Sequence, residues 1–116
     1  MKTYYYRLND EPFESIKSGM KKIEMRLYDE KRQLLRCGDE IVFVKRDDTG
    51  SQITTRVIGL QKFKNFEELY SHFDKRVLGY HADDNASPDD MSKYYEKSEI
   101  DKFGVVGIEI ELINNL

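Results

Sequence analysis

The sequence predicts an α+β domain: a β-barrel of about five to six mainly antiparallel strands with about three short helices. Three observations predict it. Five or so segments rich in β-branched and aromatic residues recur along the chain. Three helix starts carrying capping or proline signals interrupt them. The 116 residues suffice for one core but not two, so residues 1–116 form a single domain. Barrel closure is the simplest way for so many short strands to remove their exposed edges.

The elements follow in order. Thr3-Tyr4-Tyr5-Tyr6-Arg7-Leu8 reads as a first strand. Asn9 is an N-cap and Pro12 a first-turn proline, and Phe13, Ile16 and Lys17 share one helical face. Gly19 is placed to end that helix in a left-handed conformation. In Lys22–Tyr28 the apolar Ile23, Met25 and Leu27 alternate with Lys22, Glu24, Arg26 and Tyr28, the pattern of a half-buried strand with one polar face. Leu34-Leu35 marks a short helix or turn, and Cys37–Glu40 a turn. Ile41–Val44 is apolar on both faces and so central. Asp48–Ser51 is a loop before the strand Ile53–Leu60. Asn65 and Glu68 suggest a capping box ahead of Leu69 and Phe73, and residues 74–87 an exposed connection. Ser87-Pro88-Asp89-Asp90 restarts a helix bearing Met91, Tyr94 and Tyr95. Gly104–Leu112 closes the chain as a strand.

Composition excludes several classes. Apolar content of 39% with 35% charged residues describes a globular protein with a heavily charged surface. No apolar run approaches the roughly 18 residues of a membrane span. The N-terminus lacks the apolar core of a secretory signal, so the cytoplasm is the expected compartment. The single Cys37 excludes an internal disulfide and a multi-cysteine zinc site. Net charge is −3, divided unevenly: residues 1–65 carry +4 and residues 66–116 carry −7. A basic first half fits a localised phosphate-binding face, whereas the net acidity argues against strong binding to duplex DNA.

The most informative segment is Gly19-Met20-Lys21-Lys22-Ile23-Glu24-Met25-Arg26. Glu24 and Arg26 share a strand face, and Lys21 stands at the helix-to-strand junction with its stem free to lean toward them. Two cations and a carboxylate so placed suit an anionic or polar planar ligand: Arg26 as a forked donor, Lys21 as a point charge, and Glu24 as an acceptor or as the anchor of Arg26. The plainer alternative is a solvated strand face with an ion pair worth under about 1 kcal/mol.

The spacing Gly19-x-Lys21-x-x-Glu24-x-Arg26 resembles the G-x-K-x-x-E-x-R signature of the ASCH domain family. The surroundings are similar as well: Pro12-Phe13 and Ile16 before the motif, Gly38-Asp39-Glu40-Ile41 after it, Phe66-Glu67-Glu68-Leu69 midway, and Tyr95 with Gly104-Val105-Val106 near the end. The resemblance spans about Tyr4 to Ile110. It implies a PUA-like β-barrel with a cleft beside the motif strand suited to RNA or nucleotides, in RNA processing or transcription-linked regulation. Lys21, Glu24 and Arg26 would line that cleft, and Gly19 would set the approach of the backbone. Tyr28 and Tyr95 are the candidate base-stacking residues, the first by its parity with Glu24 and Arg26, the second from the late helix. No cofactor and no metal are expected, and no membrane partner.

An enzymatic alternative also follows from the resemblance. Some small bacterial members are associated with hydrolysing amides on modified nucleosides such as N4-acetylcytidine, pairing the motif lysine with a threonine nucleophile and a glutamate. Here Glu24 stands in the threonine's place, so catalysis would need Glu24 to activate water while Lys21 polarises the carbonyl. A ribonuclease is a further alternative, although His72 and His81 lie outside the motif and read as surface or packing residues. Asp83-Asp84 and Asp89-Asp90 lack calcium-loop spacing and read as a solvated loop and a helix start.

Overall fold

Five strands form one sheet in the order β1-β3-β4-β5-β2, in a computed structural model that describes residues 1–114. The strands are β1 (Thr3–Leu8), β2 (Ile23–Leu27), β3 (Glu40–Lys45), β4 (Asp48–Phe63) and β5 (Val105–Asn114). Helices α1 (Asp10–Lys17), α2 (Phe66–His72) and α3 (Lys97–Phe103) join them, with 3-10 turns at Arg32–Leu34 and Pro88–Lys93. Every ladder is antiparallel except β1 with β3. That pair is parallel because the chain crosses to the far edge of the sheet through α1 and β2 before it returns.

β4 makes the sheet curl. Its first half pairs with β3 and its second with β5, and register shifts at Thr54/Thr55 and Val57/Gly59 bend it in between. The result is a half-barrel: no ladder joins β1 to β2, and a seam separates these two edges. The turn signal at Asp48–Ser51 falls inside β4. The hairpin reverses at Arg46-Asp47, Lys45 pairs with Asp48 and Val44 with Gln52, so Thr49-Gly50-Ser51 are the surplus residues of a bulge.

Two apolar clusters sit on opposite faces of the sheet. One, inside the curl, gathers Phe13 and Ile16 of α1 with Tyr6, Ile41, Phe43 and Ile108. Lys17 turns to solvent instead of joining that face, and the smaller Ser15 is buried in its stead. The other cluster packs Ile23, Met25 and Leu27 of β2 against Phe66, Leu69, Leu78 and Met91. β3 is buried throughout its apolar run, as a central strand requires.

Residues 74–87 are not simply an exposed connection. Leu78 is buried, and Lys22 and Ile23 donate their backbone N–H groups to the Val77 carbonyl at 2.8 and 3.0 Å. The segment is thereby tied to the start of β2. Helix α3 is an additional element. At its start the Glu96 N–H donates to Glu99 Oε1 at 3.2 Å, and Gly104 stops it.

Gly104 has φ +70° and ψ −170°, a conformation open essentially to glycine, and a Cβ there would meet the Phe63 carbonyl oxygen at 2.9 Å. Gly104→Ala is expected to lower stability by about 2 kcal/mol or more, since neither the conformation nor the clash with backbone can be relieved by a rotamer. Gly19→Ala, at φ +86° but with open space around it, should cost only about 1 kcal/mol. Urea midpoints of the two variants check the order; equal midpoints would contradict it.

Candidate ligand-binding cleft

The site begins at the end of α1. Gly19 takes φ +86° and donates its N–H to the Ile16 carbonyl, while Met20 and Lys21 both donate theirs to Ser15. This tight exit lets β2 start at Ile23 with Lys21 directly beside its first polar position. Because Ile23, Met25 and Leu27 are taken by the outer cluster, Glu24 and Arg26 project to the inner face at the seam between β1 and β2.

There the three charges converge. Lys21 Nζ lies 3.0 Å from Glu24 Oε1, and Arg26 reaches Glu24 Oε2 through both Nε and Nη2 at 2.8 Å. The Glu24 side chain is 3% exposed, against 9% for Lys21 and 16% for Arg26. This is a buried triad, not a solvated strand face. Burial alone would raise the Glu24 carboxyl, but the charges and hydrogen bonds of Lys21 and Arg26 outweigh it and hold it at about 2. Arg26 also spans the seam. Its guanidinium lies 4.8 Å from the Tyr6 ring centre, and Nη2 donates to the Arg7 carbonyl at 3.4 Å. Arg32 approaches the same ring at 5.0 Å.

The triad forms the floor of a cleft of about 540 Å³. Five cations line it, Arg7, Lys21, Arg26, Arg46 and Lys93, against three carboxylates. The opposite wall comes from Leu78 to Tyr80 and from the 3-10 turn at Pro88–Lys93 with Tyr94 and Tyr95 behind it. Gly79 has φ +109°, and a Cβ on it would come 3.1 Å from Lys21 Cδ, so this glycine lets the wall close onto the lysine stem. Tyr80 donates to Asp90 Oδ2 at 2.6 Å and shares a 2.8 Å hydrogen bond with Tyr70. Burial and Asp90 push its hydroxyl well above the usual tyrosine range, so it remains a protonated strut between the two parts of the wall.

The residues expected from the sequence fall into two groups. Lys21, Glu24, Arg26 and Tyr95 come together around the cleft. Tyr95 also stacks on Phe66, with ring centres 5.9 Å apart and planes at 19°. Gly19 shapes the exit from α1 and Tyr28 lies elsewhere; neither is among the lining residues. Tyr28 packs on the inner cluster with Lys62 Nζ 4.7 Å from its ring. Arg7, Arg46, Gly79, Tyr80, Asp90 and Lys93 were not anticipated as site residues, because they reach the cleft only through tertiary packing. His72 packs against Phe63 and Phe73, and His81 donates its backbone N–H to Asp84. Among the described residues no three His, Cys, Asp or Glu side chains converge as a metal site, and no helix is long and apolar enough to cross a membrane.

Fold and site together define a small PUA-like α+β domain with a cation-lined cleft at the seam of its half-barrel. The ASCH domain model matches residues 7–114, and the chain belongs to the ASCH domain family. The crystal structure of the hypothetical protein PH0355 is 33% identical and superposes with a TM-score of 0.80, covering 97% of this chain and 100% of that one. The solution structure of protein PF0455 from Pyrococcus furiosus is 30% identical, with a TM-score of 0.67 and coverage of 98% and 99%. ASCH from Zymomonas mobilis, at 17% identity, shares the fold with a TM-score of 0.65, over 92% of this chain and 65% of that one. No curated protein matches the chain in sequence.

Proposed function

We propose that the cleft binds RNA or a nucleotide-like ligand without catalysing its breakdown. One observation carries this reading: both Glu24 oxygens are occupied by Lys21 and Arg26, so the floor offers N–H donors and a net positive charge. Such a floor suits phosphate and carbonyl oxygens. Tyr94, 52% exposed at the rim, and Tyr95 supply aromatic surface for a base. Family membership is consistent with RNA binding.

The same geometry disfavours an amidohydrolase or ribonuclease centred on Glu24. A carboxylate held at about 2 is a weak base near neutral pH, and at 3% exposure behind Lys21 and Arg26 it is screened from an attacking water. Incubation with N4-acetylcytidine is expected to release no cytidine.

The rim cations test the binding reading without touching the buried triad. Arg46→Ala and Lys93→Ala are each expected to weaken single-stranded RNA binding and to reduce the salt slope by roughly 0.7 for every phosphate left unneutralised. Fluorescence anisotropy over a salt series measures both. No RNA or nucleotide binding by the unaltered protein, or unchanged affinity and slope in both variants, would overturn the proposal.

A further inference from the structure

Resting on the binding reading above, we infer that the floor of the cleft is a seat for a terminal phosphate, the phosphomonoester of a nucleotide or of an RNA end, and not for a phosphodiester within a strand. The bonding at the floor comes first. Lys21 uses one N–H on Glu24 Oε1, and Arg26 uses Nε and Nη2 on Oε2. What remains is two N–H groups on Lys21 and the whole of Arg26 Nη1, which makes no hydrogen bond among the described residues. These groups only donate. The triad carries one net positive charge, and the Glu24 oxygens, 3% exposed behind Lys21 and Arg26, present no open acceptor to an amino group. A base edge that presents both donors and acceptors is therefore poorly matched, and an acceptor-only anion is well matched.

Depth separates one phosphate from another. Lys21 and Arg26 are 9% and 16% exposed, whereas the rim residue Tyr94 is 52% exposed. A phosphodiester has a nucleotide on each side and must lie across the rim. A terminal phosphate has one attachment and can enter end-on, its sugar and base trailing upward toward Tyr94 and Tyr95. It also brings three acceptor oxygens and nearly two negative charges near neutral pH. The cleft volume of about 540 Å³ falls in the range of sites that enclose one small ligand, roughly 300–1,000 Å³. The remaining lining cations, Arg7, Arg46 and Lys93, are left for the phosphates that follow.

The experiment compares one short single-stranded RNA in three forms: hydroxyl at both ends, phosphate at the 5′ end, and phosphate at the 3′ end. A nucleoside and its 5′-monophosphate are titrated beside them. A phosphate on at least one end is expected to tighten binding roughly 10–100-fold, the worth of charge-assisted hydrogen bonds to one anion. Lys21→Met should erase that preference. Lys93→Ala, which leaves the triad intact, should weaken all the RNAs while keeping their ratio, so the test survives if Lys21→Met fails to fold. Free monophosphate binding as tightly as phosphorylated RNA identifies a free nucleotide as the ligand, and much weaker binding identifies an RNA end; both support the seat. RNA bound equally with and without a terminal phosphate overturns this inference and leaves RNA binding standing. No binding of any RNA or nucleotide overturns both.

Discussion

Glu24→Gln is expected to lower the stability of the fold by about 3–5 kcal/mol, the range for removing one partner of a buried ion pair. The change keeps the shape of the side chain but leaves Lys21 and Arg26 facing each other, with side chains only 9% and 16% exposed. It also unfastens the seam, because Arg26 is held over Tyr6 and against Arg7 by its two bonds to Glu24. Replacing all three residues together, as Lys21→Met, Glu24→Leu and Arg26→Met, should be far milder than Glu24→Gln alone, because no buried charge is then left without a partner. The same triple change should abolish ligand binding. Urea denaturation ranks the three proteins; a Glu24→Gln midpoint equal to that of the unaltered protein would contradict the account.

Acid should remove the stabilisation that the triad confers on the charged carboxylate. Glu24 is depressed from 4.5 to about 2, against the opposing push of burial, by Lys21 and Arg26. A depressed carboxyl contributes stability that is present above its unfolded value and is lost as pH falls through its folded value. The window is therefore pH 4.5 down to about 2, and the contribution is about 3 kcal/mol. Asp39 is also held low, since the backbone N–H groups of Lys2 and Arg36 outweigh its burial, and it titrates in any variant. The clean measure is thus the stability gap between the unaltered protein and Glu24→Gln. That gap should narrow steadily below pH 4.5; a constant gap down to pH 2 would contradict the assignment.

Much of the scaffold was legible locally. The alternation Ile23, Met25, Leu27 identifies β2, the unbroken apolar run Ile41–Val44 identifies a central strand, and Gly19 stops α1 where its positive φ requires. Ser87 caps the element that Pro88 opens, as their order suggests, by accepting from the Asp89 N–H, although the element is a 3-10 turn. Helix α3 was less legible because its N-cap is Glu96, a residue type not favoured at that position. The bulge at Thr49–Ser51 was hidden because turn-forming residues also serve as surplus residues inside a bent strand.

The sequence by itself determined which side chains travel together: Glu24 with Arg26 on one face of β2, and Lys21 at its entrance. It also carried the family signature and the α+β class. Only the tertiary structure decided that this polar face is buried, that β1 lies parallel to β3, and that Gly79, Tyr80 and Asp90 wall the cleft. The reason is physical. Strand periodicity sets which residues share a face, but whether that face meets water or protein depends on segments distant along the chain. Here the outer cluster claims Ile23, Met25 and Leu27, and that packing alone drives Glu24 out of solvent, where its charge has to be met by Lys21 and Arg26.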